Sequence, residues 1–389
     1  MSTFLPPELL MVIFSMTNPD RGPRNFGTNT FLPTLALLNK DFLSVARREL
    51  YSEVFLTNSL RAHVKDVACA FLRTIRISPA LADNVRAIHY GGGEEVSEDE
   101  IKYLSDIISR TDGLLHLRIF GFEYYSLHRL VTAIRARKRL QSIEVSTFTL
   151  ANQYSSIFCG LVPFFQMLQG WPDIRSVTMH SQTIGWERHD SFSLADVLPG
   201  SCAHLARFVY RCAEYWEDRH LRSFARMAPN VREIVLFGVL TEMTRAGIGD
   251  ALDTWRTTLT SLSIHFPNSE YDSDSYRTLG VDPYVTALAQ LRVLEISSSY
   301  ILPRSFERGP KGLTKLTYWV RKEQFEELVS VLGGGSALPR LKELDVWLLG
   351  HDGVGALDAE VLDHLVGVCR IRGIALKTSS RSYPSEGDE

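Results

Sequence analysis

Glu187, His189 and Asp190 sit together in the chain. An imidazole beside carboxylates can perform general acid–base chemistry when a fold aims it at a substrate. Here the three stand in a polar stretch that reads as a hydrated loop. Gly91, Gly92 and Gly93 run straight into Glu94 and Glu95. Carboxylates at that point would repel the phosphate that a glycine-rich loop cradles, so the run reads as a turn. Gly247 and Gly249 lack the third glycine of a dinucleotide fingerprint, and Gly333, Gly334 and Gly335 read as a helix cap and loop. The spacings of serine hydrolases, zinc proteases, dithiol redox sites and nucleoside-triphosphate loops are missing, and the eleven histidines are scattered. No catalytic site, metal site or cofactor is expected.

The 389 residues carry a net charge of −3, with 45% hydrophobic and 22% charged residues. That balance gives no electrostatic reason for a nucleic-acid or membrane partner. The apolar run Leu9 to Phe14 is too short to span a bilayer and has Glu8 and two prolines before it instead of a basic segment. Five cysteines without close-set pairs, and no Asn-x-Ser/Thr sequon, suit a reducing compartment, cytoplasmic or nuclear.

A recurring unit dominates the rest. Pro229 to Leu236 places apolar residues at Val231, Ile234 and Leu236, the spacing of a chain entering a short strand. Equivalent units start at Val85, Leu114, Leu140, Ile174, Leu205, Val231, Leu259, Leu291, Leu313, Leu341 and Ile371, on average about 29 residues apart. The residue after the start, or two after it, is often basic: Arg86, Arg175, Arg207, Arg232, Arg292, Lys315, Lys342 and Arg372. Helical signals lie between units. Ser97 and Glu100 form a capping box, and Asp282 with Pro283 reads as N-cap and first helical position. Glu323 to Leu332 and Asp358 to Val368 are further helices. Residues 84–377 thus resemble a leucine-rich-repeat array, irregular, with the family's strand-end asparagine missing from nearly every unit.

The first residues read differently. Leu5, Pro6, Pro7, Glu8, Leu9, Leu10, Ile13 and Phe14 form an apolar helix entered by prolines. Pro33 to Leu38 reads as a second helix and Lys40 to Leu50 as a third, with Asn39 as its N-cap and an extended exit over Tyr51 to Leu56. The Leu-Pro-x-Glu-Leu-Leu-x-x-Ile-Phe tract, Leu37 to Phe42 and Leu50-Tyr51 together resemble an F-box, in the style of F-box-like proteins of mushroom-forming fungi. That resemblance implies docking on a Skp-type adaptor within a Skp–cullin–F-box ubiquitin ligase. The matching docking positions are Leu5, Pro6, Leu9, Leu10, Ile13, Phe14, Leu38 and Phe42.

The expected fold is α/β. A small three-helix F-box-like head (1–56) and a connecting helix (57–83) precede an irregular leucine-rich-repeat solenoid (84–377), a curved parallel sheet with outer helices. A disordered tail (378–389) ends it. Strand parity then assigns the outer face of the sheet. If Leu117 and Ile119 point inward, His116, Arg118 and Phe120 point outward. The same rule puts Arg207, Val209 and Arg211 outside, then Glu233, Val235 and Phe237. It does the same for Ser261, Ser263 and His265, for Lys315, Thr317 and Trp319, and for Glu343, Asp345 and Trp347. Phe120, Arg207, Arg211, Phe237, His265, Trp319 and Trp347 are the expected target-binding residues, because aromatic and arginine side chains concentrate interface energy. The expected function is substrate recognition for a ubiquitin ligase, with no catalysis of its own. A protein-binding scaffold without ligase coupling is the alternative.

Overall fold

The computed structural model describes residues 40–58, 63–91, 97–121, 128–147, 161–184, 197–265, 280–349 and 359–380. The chain divides into two compact units, Met1–Ala151 and Asn152–Glu389.

Among the described residues the first unit holds four parallel strands paired in chain order: β1 (Glu53–Thr57), β2 (Ala87–Gly91), β3 (His116–Phe120) and β4 (Ser142–Thr147). Its helices are α1 (Lys40–Ser52), α2 (Val64–Ile77), the single turn α3 (Pro79–Ala82), α4 (Glu98–Arg110) and α5 (His128–Arg135). Parallel strands need a crossover, and helices supply it here. The capping box at α4 forms as expected: Glu100 N–H donates to the Ser97 hydroxyl, and Ser97 N–H donates to Glu100 at 2.8 Å. The other Glu100 oxygen accepts from Tyr90 at 3.2 Å, tying the helix start to β2. Burial beside Glu100 pushes the Tyr90 phenol above its ordinary range, so it remains a donor. Charged side chains join consecutive helices. Lys65 of α2 meets Asp99 of α4 at 2.8 Å, and Asp106 of α4 bridges Arg76 of α2 and Arg129 of α5.

Among the described residues the second unit has eight parallel strands, again in chain order. These are β5 (Ser176–Ile184), β6 (Arg207–Glu217), β7 (Glu233–Glu242), β8 (Ser261–His265), β9 (Val293–Ser297), β10 (Lys315–Arg321), β11 (Glu343–Leu349) and β12 (Ala375–Ser380). The described helices beside them are α6 (Leu161–Leu168), α7 (Asp218–Met227), α8 (Arg245–Thr254), α9 (Asp282–Thr286), α10 (Lys322–Gly333) and α11 (Ala359–Arg372), with a 3₁₀ turn at Pro303–Arg308.

One hydrogen-bond device recurs in both units. The carbonyl just before a strand accepts two successive amides of the next repeat. Arg86 accepts from Leu115 and His116, Arg232 from Thr260 and Ser261, and Arg292 from Thr314 and Lys315. Hydroxyls reinforce the step, as where Thr260 donates to Arg232 at 3.0 Å and Thr314 to Arg292 at 3.1 Å. The starting residues Val85, Leu114, Leu140, Ile174, Leu205, Val231, Leu259, Leu291, Leu313 and Leu341 are all buried. Each removes a large apolar side chain from water, stabilising the fold by about 1.5–3 kcal/mol per residue.

The core of the second unit is aromatic at its beginning. Phe208 lies 4.2 Å from Phe224 between ring centroids, Phe165 meets the edge of Trp216, and Phe224 meets Trp255. Trp255 satisfies its indole N–H on the Ala228 carbonyl at 2.8 Å, as buried indoles usually do. Gly247 and Gly249 serve this packing. A side chain at Gly247 would run into Asp218, and one at Gly249 into the Tyr284 ring.

Three local expectations need correction. Ile371 does not start a repeat; it sits in the last turn of α11 and is 88% exposed. Gly373, with φ 68°, ends that helix in a Schellman turn: its N–H donates to Arg370 and that of Ile374 to Cys369. Arg372, expected to follow that start, lies in the same helix and donates to the carbonyls of Leu332, Ala337 and Leu338 at 2.7–2.9 Å. Asp282 is not the N-cap of its own helix. Its carboxylate accepts from Leu302 N–H at 3.2 Å and from the Ser305 hydroxyl, holding the start of the following 3₁₀ turn. The exit over Tyr51 to Leu56 divides: Tyr51 is helical and Glu53–Thr57 is the first strand of a sheet. Of the expected head, the third helix is α1; the first two lie outside the described residues, as do Glu187, His189, Asp190 and residues 381–389 of the expected tail, whose first residues, 378–380, instead pair with β11 as the end of β12.

Candidate protein-interaction face

Strand parity holds in both units. The inward positions Leu117, Ile119, Ile143, Val145, Phe208, Tyr210, Ile234, Leu236, Leu262, Ile264, Leu316, Tyr318, Leu344 and Val346 are all buried. The residues between them stand in rows across the strands, because parallel registers bring equivalent positions side by side.

In the first unit, Phe55, His89, Arg118 and Glu144 share a row. Phe55 is 38% exposed and stacks on His89 at 4.6 Å. His89 meets Glu53 at 2.8 Å. Arg118 pairs with Glu144 through two nitrogens at 3.0 and 3.1 Å and lies over the Phe120 ring at 4.5 Å. His116 meets Ser142 at 2.8 Å. Burial, and then the neighbouring His89, hold the His116 imidazole below its ordinary range, with Glu53 opposing. This face is a ladder of mutually satisfied side chains. Parity from Val85 onward missed Phe55 and Glu53; the alternation of Val54 and Leu56 with Phe55 was the signal that could have found them.

In the second unit, Arg207 is exposed, yet its guanidinium is engaged by Glu233 at 3.0 Å and Thr178 at 3.0 Å. Arg211 lies four residues on, exposed, in a row with His180 and Phe237. Phe237 in turn pairs with His265 in register; the side chains of these last two lie outside the described set. Trp319 and Trp347 are register partners on β10 and β11. Trp347 is half-buried, whereas Trp319 keeps only 9% of its surface, so an outward position does not by itself make it accessible. Beside them, Glu295, Thr317, Asp345 and Lys377 form the preceding row, and Lys315 pairs with Glu343 at 3.0 Å. The Lys315 ammonium holds the Glu343 carboxyl below its usual value.

Of the expected adaptor-docking positions, Leu5, Pro6, Leu9, Leu10, Ile13, Phe14 and Leu38 lie outside the described residues, and Phe42 falls within α1. The thiol of Cys202 is buried and pushed up to about 12 by that burial, so it carries no thiolate chemistry near neutral pH. Among the described residues no helix is long and apolar enough to cross a membrane.

No protein-family model matches the chain, and no curated protein matches it. Among solved structures, the chain is similar to one described as the crystal structure of the Rad7 and Elc1 complex in yeast. Identity is 14%, over 95% of this chain and 92% of that one, with a TM-score of 0.44.

Proposed function

We propose that this chain is a substrate-recognition subunit of a Skp–cullin–F-box ubiquitin ligase. Its N-terminal head docks on a Skp-type adaptor through Leu5, Pro6, Leu9, Leu10, Ile13, Phe14, Leu38 and Phe42, and its repeats hold a target protein. The chain is not itself an enzyme and needs no cofactor. It raises the rate of a transfer carried out elsewhere by holding the target near the loaded ubiquitin, an effect of proximity.

The observation that carries the reading is the strand parity. In the described strands of each unit the large apolar inward residues enter the core, and the outward positions stand in rows in which Arg207, Arg211, Lys315 and Glu343 remain exposed while Val209, Ser263 and Trp319 are covered. Rigid rows of polar and aromatic side chains suit protein recognition. The F-box resemblance supplies the ligase connection.

Retention of a Skp-type adaptor by the wild type and by a Leu9→Asp, Ile13→Asp double variant tests this. The wild type should retain the adaptor and the variant should lose it, with unchanged unfolding of the repeats. A wild type that retains no adaptor would leave the scaffold without ligase coupling as the answer.

A further inference from the structure

The last strand of the second unit is built like the others but lacks what they have beside them. β12 closes the strand order, and among the described strands only β11 pairs with it. Ala375 N–H donates to the Lys342 carbonyl, as the repeating device requires. The Ile374 carbonyl stands where those of Arg232, Arg292 and Lys342 stand, yet no amide among the described residues donates to it. Backbone groups alternate sides along a strand, so the amides of Leu376 and Thr378 face the open edge.

The core row is unfinished at the same place. Leu262, Leu294, Leu316 and Leu344 are register neighbours and fully buried, whereas Leu376, next in that row, is only half-buried. Val366 and Ile371 of α11 are exposed. The first strand of the first unit, by contrast, buries both Val54 and Leu56. The charge pattern is unfinished too. Three times a cation is answered by a carboxylate at the register position of the following strand: Arg118 by Glu144, Arg207 by Glu233 and Lys315 by Glu343. Lys377 is exposed, makes no ion pair among the described residues, and has no described strand after it.

We infer that β12 accepts an extended segment of a partner protein as an added parallel strand, with a carboxylate opposite Lys377 and an apolar residue before it, beside Leu376. Main-chain hydrogen bonds would supply the affinity, and those two side chains the selectivity. A second copy of this chain does not meet these needs. Two β12 edges related by a twofold axis run antiparallel, and Ala375–Ser380 contains no carboxylate. β4 shows what the newcomer must bring. Gln141 and Ser142 both donate N–H to the Leu115 carbonyl, Ile143 is buried, and Glu144 answers Arg118. Nothing at this edge depends on the ligase reading.

The test uses a labelled, acetylated peptide with the sequence of residues 141–147, Gln-Ser-Ile-Glu-Val-Ser-Thr, and follows its binding to the full chain by fluorescence polarisation. It should bind, and the same peptide N-methylated at its glutamate should not. Replacing that glutamate by glutamine should weaken binding about two- to fivefold, the range of a cross-strand ion pair, and lysine should weaken it further. Lys377→Glu should reverse the preference, taking the lysine peptide over the glutamate one. Thr378→Pro removes an edge-facing amide without touching the β11 ladder, so it should abolish binding with unchanged thermal unfolding. Arg207→Ala should bind as the wild type does. Residue-resolved hydrogen exchange should show the Leu376 and Thr378 amides fast in the free chain and slowed by the peptide. Failure of the peptide to bind, equal binding of its N-methylated form, or undiminished binding by a folded Thr378→Pro variant overturns the inference. So does slow exchange of those two amides in the dilute free chain, which would mean that the chain already covers its own edge. Self-association lost in Thr378→Pro would give the edge to a second copy and overturn it as well.

Discussion

Asp218, the first residue of α7, accepts both the amide and the hydroxyl of Thr244, at 2.7 and 2.5 Å. Thr244 is the N-cap of the next helix, and its hydroxyl oxygen accepts from Gly247 N–H at 3.2 Å. One carboxylate thus fixes the start of a helix one repeat away. Asp218→Ala should lower stability by about 1–2 kcal/mol, the typical cost of a lost cap and its hydrogen bonds. Asp218→Asn, which keeps an acceptor oxygen, should lose less. Urea denaturation, comparing midpoints at unchanged slope, measures both.

Arg372 closes the last helix against its predecessor through three carbonyls. One of these belongs to Leu338, a non-glycine residue at φ 47°, a conformation that costs free energy and needs support. Arg372→Ala should destabilise by about 1–3 kcal/mol, because buried carbonyls lose their donor. Lysine should rescue only part, since an ammonium cannot fork between Leu332 and the Ala337–Leu338 pair. Hydrogen exchange should show the loss concentrated in residues 332–341 and 359–372.

Acidification should weaken the fold through His220. This buried imidazole accepts the Glu217 N–H at Nδ1, 3.2 Å away. Burial holds it below the ordinary value of 6.5, Arg219 adds to that effect, and Glu217 opposes it. The unfolded chain therefore takes up the proton more readily than the fold does. Stability is full above the unfolded value and declines as pH falls through it toward the folded one. His116 shifts in the same direction. Tm should fall between pH 7.5 and 5.5, and His220→Gln should remove part of that slope.

Phe208 sits in the ring cluster of the second unit, beside Phe164, Tyr210 and Phe224. Phe208→Ala should cost about 3–5 kcal/mol, a large cavity among side chains that cannot collapse to fill it. Phe208→Leu should cost less, and calorimetric unfolding of the two variants gives the comparison.

The repeats were legible because a strand with one buried face alternates, and the starting residues of ten units fell in the core. The capping box at Ser97 and Glu100 was legible because both partners lie within one turn. What escaped the sequence depends on partners far along the chain. Nothing near Asp282 announces Leu302 and Ser305 as its contacts. Ile371 carries the right spacing for a strand entry, but α11 runs through it to Arg372 and turns only at Gly373. The same blindness applies to the outward face. Parity places Trp319 there but does not register what covers it. Parity likewise places Arg207 outside but does not announce its contacts with Glu233 and Thr178.

In each unit the order of strands is the order in which a ribosome would deliver them. Most described repeats leave a carbonyl, such as that of Arg232, waiting for two amides not yet made, those of Thr260 and Ser261. No described strand has to be threaded between two earlier ones. Each unit can therefore assemble while its own remainder is still being translated, with the newest strand always the exposed edge. A pause in synthesis would leave a shorter but properly paired sheet rather than a misassembled one.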